Sequence, residues 1–337
     1  MTELVIQACG PGTTIQDQGR FGWQKYGLGP AGAMDRQAQA VANALVGNGA
    51  GDAVIELALA GARFLVEGGS CRIAVAGAAM PLKIDGAVIA PLMAVTVQAG
   101  QVIDIGTARS GQFGYLAVAG GFALQPVLGS LALHMKAAVG GLDGRAFRAG
   151  DRLPLLLAAP TGPDFAAKQA IDVHSGPIRV MLGPQDDHFT TDGLATFLSA
   201  EYTISLNADR MGIRLTGPKI EHGPKGYNIV SDGIATGAIQ VPGNGEPIIL
   251  LADRQTTGGY PKIANVITAD LGRLAQLRPG DSVRFANVTR DDAIALLRAQ
   301  LAAHEQLRAS LRPVGTADLD STRLLSLNLV DGWINGT

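Results

Sequence analysis

Short apolar runs, each closed by glycine, proline or a polar cluster, recur along nearly the whole chain; residues 72–76, 94–97 and 248–252 are examples. Runs of this length read as strands. Many such strands, with turn signals between them, predict a mainly β protein with a few helices. Helical periodicity breaks in at three places. One helix starts at Asp35 as N-cap, carries Ala38, Val41, Ala42 and Leu45 on one face, and stops near Gly47. A second is predicted over residues 191–198. A third starts at Thr289, with Asp292 three residues on as a capping-box variant, and places Ile294, Leu297 and Leu301 on one face.

The pattern also divides the chain. At residues 158–176 an Ala-Ala-Pro-Thr-Gly-Pro stretch gives way to polar sequence ending at His174, Ser175, Gly176 and Pro177, and a strand restarts at residues 178–182. The halves echo each other: the turn into a strand at residues 98–103 resembles residues 278–283, and Asp17-Gln18-Gly19-Arg20 has a loose counterpart in Asp209-Arg210-Met211-Gly212. Two related β-barrel domains are therefore expected, over residues 1–165 and 177–309. Residues 310–337 fall outside both and read as a C-terminal arm or tail.

Composition narrows the function. Of the 337 residues 47% are hydrophobic and only 5% aromatic, so the interior is built from Ala, Val, Ile and Leu, and a disordered chain is excluded. A net charge of −2 gives no attraction to nucleic acid or an anionic membrane, which leaves a small neutral or acidic substrate, or a protein partner. Cys9 and Cys71 make no disulfide framework and no zinc spacing with His, so they read as reduced thiols with no metal site evident. No leader-like segment opens the chain, and a soluble cytoplasmic protein is the expectation.

The densest chemistry follows residues 248–252. Asp253, Gln255, Thr256, Thr257, Gly258, Gly259, Tyr260 and Lys262 offer a carboxylate, an amide, two hydroxyls, a phenol and an ammonium around a Gly-Gly pair that admits close backbone approach. Asp253 and Lys262 are the candidates for catalysis, with an anion site formed by the glycine amides and threonine hydroxyls. The alternative is a Lys262–Asp253 salt bridge in an exposed polar loop. Gln240, at a strand end before Pro242, adds an amide suited to a lactam or ureido group. Gln16, Asp17 and Arg20 can present an amide, a carboxylate and a guanidinium to one pocket, or Asp17 and Arg20 can pair internally. Arg210 and Arg214 would face the same side of a strand, one toward the pocket. Asn43 and Asn48 are explained by helix-end and turn chemistry. Lys136, in His134-Met135-Lys136-Ala137, reads as an ordinary loop lysine. No phosphate loop and no serine-histidine-acid signature is present.

Several motifs together resemble one family, the allophanate hydrolase subunit 2 family of biotin-dependent carboxyltransferase-like proteins. They are Pro11-Gly12-Thr13-Thr14-Ile15-Gln16-Asp17-Gln18-Gly19-Arg20, Gly29-Pro30-Ala31-Gly32-Ala33-Met34-Asp35, Tyr115-Leu116-Ala117-Val118-Ala119-Gly120-Gly121, Gly183-Pro184-Gln185-Asp186, Asp209-Arg210-Met211-Gly212 and the Asp253–Lys262 segment, in order across about residues 3–288. The resemblance implies two tandem cyclophilin-like β-barrel domains and a divided catalytic unit. The leading expectation is a subunit of an ATP-dependent 5-oxoprolinase, acting with a smaller family partner and a lactam-utilisation-type third subunit. The runner-up is the carboxyltransferase half of a urea or amide carboxylase, meeting carboxybiotin from another chain; a third reading is a non-enzymatic regulator that binds a kinase inhibitor. ATP held in the complex, or carboxybiotin, is the implied cofactor. At Gly129-Ser130-Leu131-Ala132 the chain departs from the family's more polar run, so no function is carried over from that loop.

Overall fold

The computed structural model describes residues 1–157, 159–171 and 175–314. The first half is two facing antiparallel sheets. One has six strands in the order Arg152–Pro154, Glu3–Cys9, Ala62–Glu67, Val102–Ile105, Leu82–Ile84 and Ala87–Ile89; the other has five, in the order Thr14–Gln16, Val54–Ala58, Phe113–Val118, Cys71–Gly77 and Ala94–Val97. Leu4, Ile6, Ile55, Phe64, Ile73 and Leu116 fill the space between them.

Phe113–Val118 is buried along its whole length because the period-2 alternation serves two cores. Leu116 and Val118 face the opposite sheet. Tyr115 and Ala117 join a second core together with helix α1 (Arg36–Val46). That second core continues into the other half through Val180, Tyr202, Ile213, Ile249 and Phe285. The halves thus share apolar packing.

The second half curls one sheet of eight strands, in the order Ser282–Val283, Tyr202–Ala208, Gly212–Thr216, Ile248–Leu250, Ala238–Gln240, Lys262–Val266, Ile178–Leu182 and Phe285–Asn287. Its two edge strands are neighbours in sequence, separated only by Arg284, so the sheet nearly closes on itself. The fold is therefore mainly β, of the tandem-barrel class expected above. No described helix is long and apolar enough to cross a membrane.

Three helices fall where the periodicity predicts them. In α1 the Asp35 carboxylate accepts from Gln37 N and Ala38 N at 3.0 Å, and Gly47 ends the helix with φ of 82°. Helix α2 is Thr191–Ser199, and α4 is Arg290–Ser310 with the capping box formed by Thr289 and Asp292. Helix α3, Thr268–Ala275, has no sequence signal strong enough to predict it, because Gly272 breaks its propensity. Packing explains the glycine: a Cβ there would lie 2.3 Å from Asp35 Oδ1. Residues 315–337 of the expected arm, and His174 of the expected boundary, lie outside the described residues. The start of the arm, Arg312–Pro313, pairs with Phe165–Ala166.

Both sequence echoes have a shared geometry. Gly100 N donates to Val66 O at 2.8 Å and Gly280 N to Ile204 O at 2.9 Å, with φ of 87° and 94°. Asp17 Oδ1 accepts from Gly19 N and Asp209 Oδ1 from Met211 N, each at 2.7 Å, as two equivalent Asx turns. Since no atom lies within 4 Å of a Cβ built at Gly100 or Gly280, replacement meets only backbone strain. Gly100→Ala and Gly280→Ala are each expected to lower unfolding free energy by about 1 kcal/mol, the left-handed penalty. Denaturant titration of both variants checks this; an unequal pair would break the equivalence of the turns.

Candidate functional site

The Gly-Gly segment is built as a short two-stranded lip beside the second sheet. Thr257–Gly258 pairs with Asp232–Gly233, and Lys262 opens the next strand in register with Gln240. Lys262 is only 4% exposed, so it is a buried strand residue and not the exposed loop lysine expected. Its Nζ donates to Asp232 Oδ2 at 2.9 Å, so the alternative of a salt bridge to Asp253 is not the pairing it makes. Asp232 is more than half exposed, and hydrogen bonds from Lys262 and Gly233 N hold its carboxyl below the usual range. Gln185 joins the group: its Oε1 accepts from Lys262 N at 3.2 Å and its Nε2 reaches Asp232 Oδ2 at 3.4 Å.

Gln240 lies beneath the same lip and donates from Nε2 to Tyr260 O at 3.3 Å. Gly258 rests directly on it. A Cβ at Gly258 would come within 2.6 Å of Gln240 Nε2 and 2.7 Å of Ile234 Cδ1, so only glycine permits this approach. Gln255, Thr257 and Tyr260 are exposed around the rim, while Thr256 and Gly259 are half-buried. A buried ammonium, an amide and a glycine-lined backbone therefore converge, flanked by a carboxylate open to solvent.

Asp253 and Arg210 belong elsewhere. Arg210 precedes its strand and does not lie on one face with the exposed Arg214. Its guanidinium grips both oxygens of Asp253 at 2.9 Å, reaches Glu56 Oε1 in the first half, and donates to Gly32 O at 2.8 Å. Glu56 Oε2 accepts from Met34 N and from the Tyr115 hydroxyl, both at 2.9 Å. Both Asp253 oxygens are held by one guanidinium, so the carboxylate is tied through Arg210 to Glu56 in the first half. Burial opposes the charge on Arg210, but Glu56 and Asp253 outweigh it and raise its pKa. Burial raises the pKa of Glu56, against the opposing effect of Arg210.

In the first half, Gln16, Asp17 and Arg20 converge on the loop over residues 127–133. Asp17 accepts from Ser130 Oγ at 2.6 Å and Leu131 N at 2.7 Å; Gln16 donates to Leu133 O at 3.0 Å; Arg20 donates to Ala132 O. Asp17 and Arg20 make no ion pair. Arg20 is 1% exposed, and its Nη1, like Gln16 Oε1, has no partner among the described residues. The departure at Leu131 and Ala132 matters little here, since backbone groups make those contacts.

Sequence reasoning missed Arg254. It is 4% exposed and bonds only carbonyls, Ile234 O at 3.0 Å and Leu251 O at 3.4 Å, with no carboxylate in ion-pair range among the described residues. Burial, reinforced by the charge of Arg36, lowers its pKa to about 10. In sequence it stands among the residues after 248–252 with no motif of its own to mark it. Around it the halves meet along a seam: Gln24 donates to Ile234 O at 3.3 Å, and a Cβ on Gly29 would lie 2.8 Å from Arg254 O and 3.2 Å from His134 Nε2. Through Ile234 this seam touches Gly258; through His134 it continues into the loop held by Gln16 and Arg20. Glu56 and Asp232 were also missed, for lack of any local motif, and Tyr115 stands in a family motif that gives it no separate role. Lys136 is exposed, with Nζ 3.5 Å from Met211 Sδ. Among the described residues no three His, Cys, Asp or Glu groups are placed to hold a metal ion.

Residues 26–287 match the family model of the carboxyltransferase domain, subdomain A and B, and the chain belongs to that family. It is 37% identical over 299 residues to the 5-oxoprolinase C component of Haemophilus influenzae, covering 88% of this chain and 94% of that one. It is 34% identical over 308 residues to the 5-oxoprolinase C component of Escherichia coli K12, covering 90% and 97%. The solved structure of K. lactis urea amidolyase superposes with a TM-score of 0.84 at 27% identity, over 95% of this chain and 20% of that one.

Arg210→Met strands two buried carboxylates and is expected to cost about 3–5 kcal/mol of stability near neutral pH. A carboxyl whose folded pKa lies above its unfolded value destabilises above that folded pKa, and the penalty fades as pH falls through it. The deficit of Arg210→Met should therefore shrink on mild acidification, above the ordinary carboxylate range. Unfolding curves from neutral to mildly acid pH measure it; a pH-independent deficit would remove the two-carboxylate account.

Proposed function

We propose that this chain is the carboxyltransferase-like subunit of an ATP-dependent 5-oxoprolinase, opening 5-oxo-L-proline to L-glutamate with a smaller family partner and a lactam-utilisation-type third subunit. The observation that carries the reading is the convergence of Lys262, Gln240 and Gly258 beside the exposed Asp232. A lactam offers one N–H and one C=O, which the Gln240 amide can meet from both ends. The ammonium of Lys262 suits the substrate carboxylate or the negative charge that develops on the carbonyl oxygen. Arg254, bound only to carbonyls, supplies a second cation at the seam. Near full-length similarity to the C components of two 5-oxoprolinases supports the substrate class.

The site suits a carboxylate or ureido ligand better than a triphosphate. The chain has no G-x-x-x-x-G-K-[ST] loop, and no described acidic cluster stands ready for a metal. ATP, which supplies the driving force for the ring opening, is then held largely by the partner subunits. Phe21, Tyr26 and Met135, exposed beside the seam, give a partner an apolar surface. The likeness to urea amidolyase favours a second reading, the carboxyltransferase half of a urea or amide carboxylase, in which the same site meets carboxybiotin from another chain.

The purified chain alone is expected to show no 5-oxoproline-dependent ATP hydrolysis, and the three-subunit mixture to show it. Lys262→Met, which keeps the buried stem, should lower reconstituted turnover by about a hundredfold or more. Asp253→Asn should act mainly on stability. Full turnover in Lys262→Met at an unchanged melting temperature would move the chemistry elsewhere. Biotin-dependent carboxylation of urea, in place of lactam opening, would select the second reading.

A further inference from the structure

A cavity of about 720 Å3 lies where α1, α3, α4 and the end of the strand Ile248–Leu250 meet. This is the size range of small-molecule pockets. Its walls are mainly apolar and come from both halves, with Met34 from the first and Leu251, Leu271 and Leu297 from the second. None of Lys262, Asp232, Gln240 or Gly258 lines it, so it is separate from the site described above.

Two lining residues carry unspent hydrogen-bonding capacity. Gln39 is 0% exposed; its Nε2 donates to Asp52 O at 3.0 Å and Gly51 O at 3.3 Å, and its Oε1 accepts from no described group. Reversing the amide would set its oxygen against two carbonyl oxygens, so the free end of Gln39 is fixed as an acceptor. His304, on α4, has its Nδ1 buried and also without a partner among the described residues. Burial lowers the His304 pKa, against the opposing charges of Asp35 and Glu305. Arg36, also lining the cavity, is exposed; it donates to Gln18 O at 2.8 Å, stacks 5.5 Å from the Phe21 ring, and makes no ion pair among the described residues. An unpartnered buried acceptor in an apolar chamber is costly unless a donor arrives to meet it.

We propose that this cavity binds a small, mainly apolar anion carrying an N–H or O–H donor, the donor meeting Gln39 Oε1 and the anionic group meeting Arg36. Because the walls come from both halves and from α4, occupancy ties the three together, a role for an effector of the assembled enzyme and not for its substrate.

Anilinonaphthalene sulfonate has this chemistry: an apolar body, one N–H and one anionic group. Its parent phenylnaphthylamine lacks the charge. The full-length chain is expected to bind one equivalent of the sulfonate saturably, by fluorescence and calorimetry, with a raised melting temperature. Ala302→Trp, at an exposed turn of α4, and Leu301→Asp should each weaken it about tenfold or more, equivalent to 1.4 kcal/mol. Arg36→Gln should abolish the preference for the sulfonate over phenylnaphthylamine and leave the latter's affinity unchanged. Unsaturable binding, or parental affinity in both α4 variants at native melting temperature, would overturn the site. An Arg36→Gln variant that still prefers the sulfonate would overturn the anionic ligand class.

Discussion

The arrangement of the two halves turns on a single guanidinium. Arg210 leaves the second half, takes both oxygens of Asp253, and crosses to Glu56 and the carbonyl of Gly32 in the first. The contacts then run on. The Tyr115 hydroxyl donates to Glu56 and accepts from Asp35 N at 2.7 Å; Asp35 caps α1 and accepts from Gln276 Nε2 at 2.8 Å, just past the end of α3. Gln276 returns to the first half by accepting from Gln112 N at 2.8 Å and Phe113 N at 3.0 Å. Apolar packing alone tolerates sliding, whereas buried charges lose heavily unless their partners stay in place. The network therefore fixes how one barrel sits on the other, while the shared apolar core supplies the area.

That fixed setting is what makes the seam. Gln24, Gly29 and His134 reach Ile234 and Arg254 only because the halves are held in this relation, and Ile234 carries the contact on to Gly258. Glycine is demanded twice along the seam, at Gly29 and Gly258, each time because another group already occupies the space of a Cβ. The seam is thus a property of the pair of barrels, while Lys262, Gln240, Gly258 and Asp232 all belong to the second.

What could be read from the chain follows physical range. Local signals were sufficient: Asp35 and Gly47 bound α1, Thr289 and Asp292 start α4, and the Asx turns at Asp17 and Asp209 show in residue type alone. Helix α3 was not legible, since Gly272 answers to Asp35, a residue far away in sequence. The site was legible in part. Lys262, Gln240 and Gly258 do come together, but the partner of Lys262 is Asp232 on the strand paired with Thr257–Gly258, a pairing that depends on register. Glu56 and Tyr115 sit in strands that read as plain core, and their role appears only when Arg210 arrives from the other half.

Two ion pairs in this protein differ in a way that separates holding from binding. In the Arg210 group every charged member is nearly buried, at 12% or less of side-chain exposure, so no partner can leave without stranding a charge. In the Lys262 pair the ammonium is 5% exposed but its partner Asp232 is 55% exposed. Water can receive the Asp232 carboxylate at little cost, because surface ion pairs contribute little. The Lys262 ammonium has no such exit and needs an anion beside it. An incoming carboxylate, or an oxygen gaining negative charge, can therefore take the place of Asp232 without opening the fold. The same exchange at Arg210 would loosen the two barrels from each other, and this asymmetry is the physical ground on which the proposal above places ligand binding at Lys262.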